Sequence, residues 1–228
     1  MKTKLFLTNL IILIFLGFSS DTSGQPLLKG NTKTIINGKI WIPQTSVSLG
    51  EQFFKEKMDL NGSFLYKGIQ FDHITFAYDI SNEKVITAIE TMDKTNRNII
   101  VNPYFLEGFK VKTPTYEFDF LRGDFIHPNL NQETYYQFVK FQDLQYIIKR
   151  KKHKILRSDQ SKKFKYVMAN SLYIVKNEKL INVNGKSDIL RLFPDNKKEM
   201  KRFIRTNKLK IGTKTPMDAV AVLSQFNL

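Results

Sequence analysis

From Thr34 onward, apolar and polar positions alternate in short runs rich in Ile, Val, Phe and Tyr. The runs cover Thr34–Ile42, Gly62–Tyr66, Ile69–Tyr78, Lys84–Ile89, Asn98–Val101, Phe109–Lys112, Tyr116–Leu121, Tyr135–Phe141 and Leu144–Arg150. Ile74, Phe76 and Tyr78 recur at period two, which predicts a strand with one buried face. Turn residues separate the runs, at Leu60-Asn61-Gly62, Lys67-Gly68 and Asp79-Ile80-Ser81-Asn82-Glu83. Strands joined by short polar turns, with no helical pattern between them, predict an antiparallel sheet.

The period changes near the end of the chain. Asp188–Phe193 reads as a short helical turn closed by Pro194. Asp195 then stands at an N-cap position, and Met200, Phe203, Ile204 and Leu209 share one face of a helix whose other face is Lys and Arg. Gly212 predicts its stop. Thr215-Pro216-Met217-Asp218 reads as a cap, a proline in the first turn and an acid three residues after the cap, opening a last helix. The predicted fold class is α+β. An antiparallel β-sheet, or a partly rolled, barrel-like sheet, forms the body (34–185), and short amphipathic helices (186–228) pack on it through Phe193, Phe203, Ile204, Val222, Leu223 and Phe226.

The start of the chain has a different pattern. Lys2 and Lys4 precede an apolar run from Leu5 to Phe18, and small residues follow through Gly24. A basic start, a short apolar stretch and small residues predict a secretory signal peptide over 1–24. The run is shorter than the ~20 residues of a membrane-spanning helix. Cleavage after Gly24, Ser19 or Ser20 fits, and 25–33 reads as a flexible leader. No cysteine occurs in the 228 residues. A lipoprotein-type anchor and disulfides are therefore both excluded, and stability must come from a hydrophobic core. The expected location is exported, in the periplasm or at the outer membrane of a Gram-negative cell, with no transmembrane helix after signal cleavage.

Export changes the meaning of the charge. The chain carries 36 Lys and Arg against 21 Asp and Glu, a formal charge of +15. Nine basic residues lie between Lys149 and Lys165, opposed only by Asp159. Nine more lie between Lys186 and Lys210. In a cytosolic chain this would suggest nucleic acid. Outside the inner membrane the available polyanions are lipid headgroups, lipopolysaccharide, acidic glycans and acidic protein faces. The candidate residues for an anionic partner are Lys149, Arg150, Lys151, Lys152, Lys154, Lys197, Lys198, Lys201 and Arg202, on an envelope component or envelope protein assembly. The alternative is a set of solvated basic faces that serve solubility.

No motif for chemistry stands out. His73, His127 and His153 have no metal-ligand spacing, and no thiolates complete a zinc site. A Gly-x-Ser-x-Gly elbow and a glycine-rich phosphate loop are both absent. Glu107, Glu117, Asp119 and Asp124 offer carboxylates without a pattern that pairs them. Asp119 and Asp124 flank Arg122-Gly123, which reads as a turn with a local ion pair. No catalytic residue, metal site or cofactor is predicted.

Several segments resemble a widespread family of exported Bacteroidetes envelope proteins that has no established activity. They are Ile74–Asp79, Tyr135-Tyr136-Gln137-Phe138-Val139, the basic run Lys149–Lys154 and Ser171-Leu172-Tyr173-Ile174-Val175. The closing segment Ser187–Pro194, continuing through Lys197-Lys198 to Phe203-Ile204, is the most specific. The resemblance covers roughly 45–228 and implies an envelope location and a β-rich body. It carries over no site residues. The resulting expectation is an exported, non-catalytic binding or accessory protein. The alternatives are a small outer-membrane β-barrel, which needs about eight strands of 9–11 residues, or an enzyme with unrecognised catalytic carboxylates.

Overall fold

The computed structural model describes residues 38–43, 48–90, 94–141, 144–158, 164–176 and 178–226. The predicted signal peptide, the leader and the first part of the Thr34–Ile42 run lie outside the described residues. The strands are β1 (Lys39–Ile40), β2 (Ser48–Leu49), β3 (Leu60–Tyr66), β4 (Ile69–Asp79), β5 (Lys84–Glu90), β6 (Asn96–Ile100) and β7 (Leu106–Lys112). They continue with β8 (Glu117–Arg122), β9 (Tyr135–Phe141), β10 (Leu144–Lys149), β11 (Lys152–Leu156), β12 (Phe164–Met168), β13 (Ser171–Lys176) and β14 (Lys179–Val183). Three helices end the chain: α1 (Lys186–Leu192), α2 (Lys197–Thr206) and α3 (Pro216–Phe226). The fold is α+β, an antiparallel sheet body followed by helices.

Eleven strands form one open sheet in the order β1-β6-β5-β4-β3-β7-β8-β9-β10-β13-β14, every pair antiparallel. Two strands leave this run between β10 and β13. β11 pairs antiparallel with β12, and β12 pairs parallel with β2, giving a separate three-stranded sheet.

The large sheet is curled. Tyr78 on β4 and Phe120 on β8 are three strands apart, ~14 Å in a flat sheet, yet their ring centroids lie 5.3 Å apart. Tyr78 also reaches Tyr135 on β9, at 6.2 Å. Phe109 stacks on Phe120 at 4.9 Å with the planes 15° apart, while Phe64–Phe76 and Phe109–Tyr135 meet edge to face. Such aromatic pairs add ~0.5–1.5 kcal/mol each beyond their buried area. The concave face is thus filled by rings, and Ile74, Phe76 and Tyr78 are buried in it as their alternation predicts.

One expectation within the sheet needs correction. Asn61-Gly62 is not a turn but part of β3. A Cβ on Gly62 would lie 1.7 Å from the Lys110 carbonyl oxygen of β7, so only glycine permits this approach. Opposite Ser63, the register with β4 slips, because Asp72 and His73 together face one residue. His73 takes a left-handed backbone (φ 57°) at this bulge.

The helices cover a second core on β10, β13 and β14, where Tyr146, Ile148, Ile174, Ile189, Met200, Val222 and Leu223 are buried. Phe193, Phe203 and Phe226, expected as anchors, pack around its margin and remain partly exposed. The cap of α2 is Asn196, one residue after Asp195, with the Met200 N–H bonded to its carbonyl. Gly212 does not end α2. Asn207 closes it, its side chain donating to the Phe203 carbonyl at 2.9 Å, and left-handed Lys208 (φ 53°) turns the chain away.

Candidate anion-binding site

The densest basic run lies at the β10–β11 corner, where the chain passes from the large sheet to the small one. In this extended backbone, successive side chains point to opposite sides. Lys149 and Lys151 turn to Glu83, with ammonium–carboxylate distances of 4.0 and 3.8 Å. Lys151 also donates to the Ser81 carbonyl at 3.1 Å. Arg150 and Lys152 turn the other way and are buried, only 8% and 6% exposed. Burial removes these two from the solvated basic surface expected there. Lys154 sits 4.3 Å over the Phe164 ring.

Lys152 ties a strap to the sheet. Its ammonium donates to the carbonyls of Glu51 at 2.5 Å and Phe53 at 3.1 Å, and lies 3.6 Å from the Glu56 carboxylate. The strap is also held by Asp79, which accepts from the Gln52 side chain at 2.7 Å while Phe53 bridges to Asp79. Asp79 in turn accepts the Ser81 and Asn82 N–H groups, which forms the turn predicted after β4. Past Phe54 the strap takes left-handed backbone at Lys55 (φ 55°) and Glu56 (φ 57°). Two non-glycine residues in that region store strain of ~1–3 kcal/mol each.

Among the described residues Arg150 has no carboxylate partner. Its Nε and Nη2 both donate to Gln137 Oε1 on β9, at 2.8 and 2.5 Å. Burial alone pushes the guanidinium down to about 10. Between the strap and the corner lies a cavity of about 250 Å³. Arg150, Lys152 and Lys55 supply its charge, and Phe54, Phe118 and Met168 supply much of its apolar wall.

The remaining candidates are on α2. Lys197, Lys198, Lys201, Arg202 and Arg205 are exposed. At 100° per residue they occupy a sector of roughly 140°, whose centre lies about 110° around the helix from buried Met200 and Ile204. Lys197, Lys198, Lys201 and Arg202 form no ion pair among the described residues. The two groups of predicted cations are therefore separate: the corner residues are built into the fold, and the helical ones face outward.

Of the carboxylates considered for catalysis, Glu117 and Asp119 meet on the Lys110 ammonium, at 3.2 and 3.3 Å, while Asp124 and Glu107 bind other partners. Asp124 is paired bidentately with Arg122, at 2.7 and 2.8 Å, and this bond holds its carboxyl below the ordinary value. Asp119 lies 3.3 Å from Lys110, and burial raises its carboxyl despite that cation. Glu107 accepts the Gly68 N–H. Among the described residues, no three His, Asp or Glu side chains gather as a metal site.

Gln137, Phe54, Lys55 and Phe118 were not singled out by the sequence. The available signal was Gln137 itself, a carboxamide inside the apolar Tyr135–Phe141 strand, where a buried polar side chain needs a partner. Comparison with protein-family models, with curated proteins and with solved structures finds no match.

Proposed function

We propose that this protein is an exported, non-catalytic binding protein of the cell envelope, periplasmic or outer-membrane-associated, and that its partner is an anionic lipid surface. The observation that carries the reading is the α2 face, where Lys197, Lys198, Lys201, Arg202 and Arg205 stand exposed in one sector. Near an anionic membrane each such cation contributes about 1 kcal/mol of attraction. Five on one short helix suffice for reversible docking. The signal-like start and the resemblance to exported envelope proteins support the compartment. Among the described residues no helix is long and apolar enough to cross a membrane.

The test is co-sedimentation with phosphatidylglycerol vesicles and with neutral phosphatidylcholine vesicles across a salt series. The expected result is binding to the anionic vesicles only, weakening with salt. Changing Lys197, Lys198, Lys201 and Arg202 together to Gln should abolish it and leave the fold intact. Equal binding by the variant, or none by the wild type, overturns the reading.

A further inference from the structure

We propose that the cavity between the strap and the β10–β11 corner is a binding site for a small organic anion, a carboxylate or phosphate monoester on a compact apolar body, with Arg150 as its anchor. The proposal does not rest on the membrane reading, because it uses none of the α2 residues.

The charge arrangement calls for an anion. A guanidinium presents five N–H donors in a rigid fork. Arg150 commits only Nε and one Nη2 proton, both to the single oxygen of Gln137. Among the described residues the second Nη group has no hydrogen-bond partner, and the residue, only 8% exposed, lines the cavity. Buried arginines are ordinarily satisfied by carboxylates, since an uncompensated buried charge is costly. An oxyanion entering the cavity supplies the counter-charge that the neutral carboxamide of Gln137 does not. Lys55 and Lys152 add two more cations to the lining, against one carboxylate, Glu56, which is itself 66% exposed. The lowered guanidinium value agrees with a charge left without a counter-ion.

The wall opposite the cations selects the rest of the ligand. Phe54 and Phe118 meet edge to face at 5.4 Å, and Met168 and buried Ile80 complete an apolar surface. Lys55 Nζ lies 4.8 Å over the Phe118 ring, so that cation and ring are presented side by side. A cavity of about 250 Å³ accommodates a single ring or short chain beside the anionic group. It is small beside the roughly 300–1,000 Å³ of drug-sized pockets. The left-handed residues Lys55 and Glu56 form part of its rim, and strained backbone of this kind gathers at ligand clamps.

The experiment titrates the full exported chain with benzoate, phenyl phosphate, inorganic phosphate and neutral benzamide at fixed ionic strength, reading the ¹⁵N resonance of Arg150 Nε. The expected result is a saturable shift with benzoate or phenyl phosphate and none with benzamide. The tighter of the two anions tells carboxylate from phosphate. Arg150→Gln should weaken binding at least tenfold, and the α2 quadruple variant should bind as wild type does. If Arg150→Gln does not fold, Lys55→Ala at the mouth should weaken binding several-fold, and the wild-type shift still decides. No saturable shift with either organic anion, an equal response to benzamide, or unchanged affinity in Arg150→Gln overturns the proposal. Equal affinity for inorganic and phenyl phosphate overturns the apolar part of it.

Discussion

Gln137 accepts two hydrogen bonds from Arg150 on one oxygen, from Nε at 2.8 Å and from Nη2 at 2.5 Å. A carboxamide oxygen bears only a partial charge, so the pair orients the guanidinium without neutralising it. Gln137 lies on β9 and Arg150 just past β10, and these two strands pair in register from Leu144↔Phe141 to Lys149↔Tyr136. The hairpin therefore delivers an arginine that is fixed in direction and still charged.

Removing the carboxamide should cost more than its size suggests. Gln137→Leu leaves a buried cation without an acceptor, and hydrogen bonds to charged groups contribute ~1.5–3 kcal/mol. Urea unfolding should show a loss in that range, while Lys197→Gln, on the exposed side of α2, should stay within ~0.5 kcal/mol of wild type.

Glu83 predicts a pH dependence. Burial raises its carboxyl above the ordinary 4.5, and Lys149, the Tyr78 hydroxyl and Lys151 offset this only in part, while Asp79 adds to the rise. The folded state thus holds the proton more tightly than the unfolded state. This contribution is fully present below the ordinary value and is lost as pH rises through the folded one. Comparing urea midpoints of wild type and Glu83→Gln between pH 4 and 7 isolates this group from the other carboxyls. Relative to the variant, the wild type should lose stability as pH rises. A constant difference would contradict the assignment.

The helical core should be most sensitive at Met200, not at the phenylalanines. Met200 is fully buried against the β10–β13–β14 face, whereas Phe203 is partly exposed and meets Phe226 edge to face at 5.7 Å. Met200→Ala should cost ~2–5 kcal/mol, and Phe203→Ala less than the ~3–5 of a buried phenylalanine. Circular dichroism during urea unfolding measures both.

What was legible follows from which signals are local. The alternation of Ile74, Phe76 and Tyr78 and the Thr215-Pro216 start of α3 depend on neighbours in sequence, and both read correctly. Gly62 misled because the reason for it lies on β7, at the Lys110 carbonyl, nearly fifty residues away. The basic run concealed its geometry for a related cause. Charge counted along the chain ignores the period-two alternation that sends Lys149 and Lys151 to Glu83 and takes Arg150 and Lys152 inside. The cavity was not visible at all, because its walls come from the strap, β8, the corner and β12, which only the curled sheet brings together.

Lys152 should behave as a structural clamp on the cavity rim. Its ammonium satisfies the carbonyls of Glu51 and Phe53, which lie about a hundred residues earlier in the chain. Lys152→Met keeps the aliphatic stem packed and removes the donors, leaving those carbonyls without their buried partner. An unsatisfied buried acceptor costs ~1–3 kcal/mol. The more specific consequence is local, because the strap carries the strained residues Lys55 and Glu56 and loses the cation that holds it down. Hydrogen exchange should therefore speed up across 51–57 in the variant and stay unchanged in the aromatic core around Phe109 and Phe120. Uniform acceleration over the whole chain would mean that Lys152 supports global stability and not the strap.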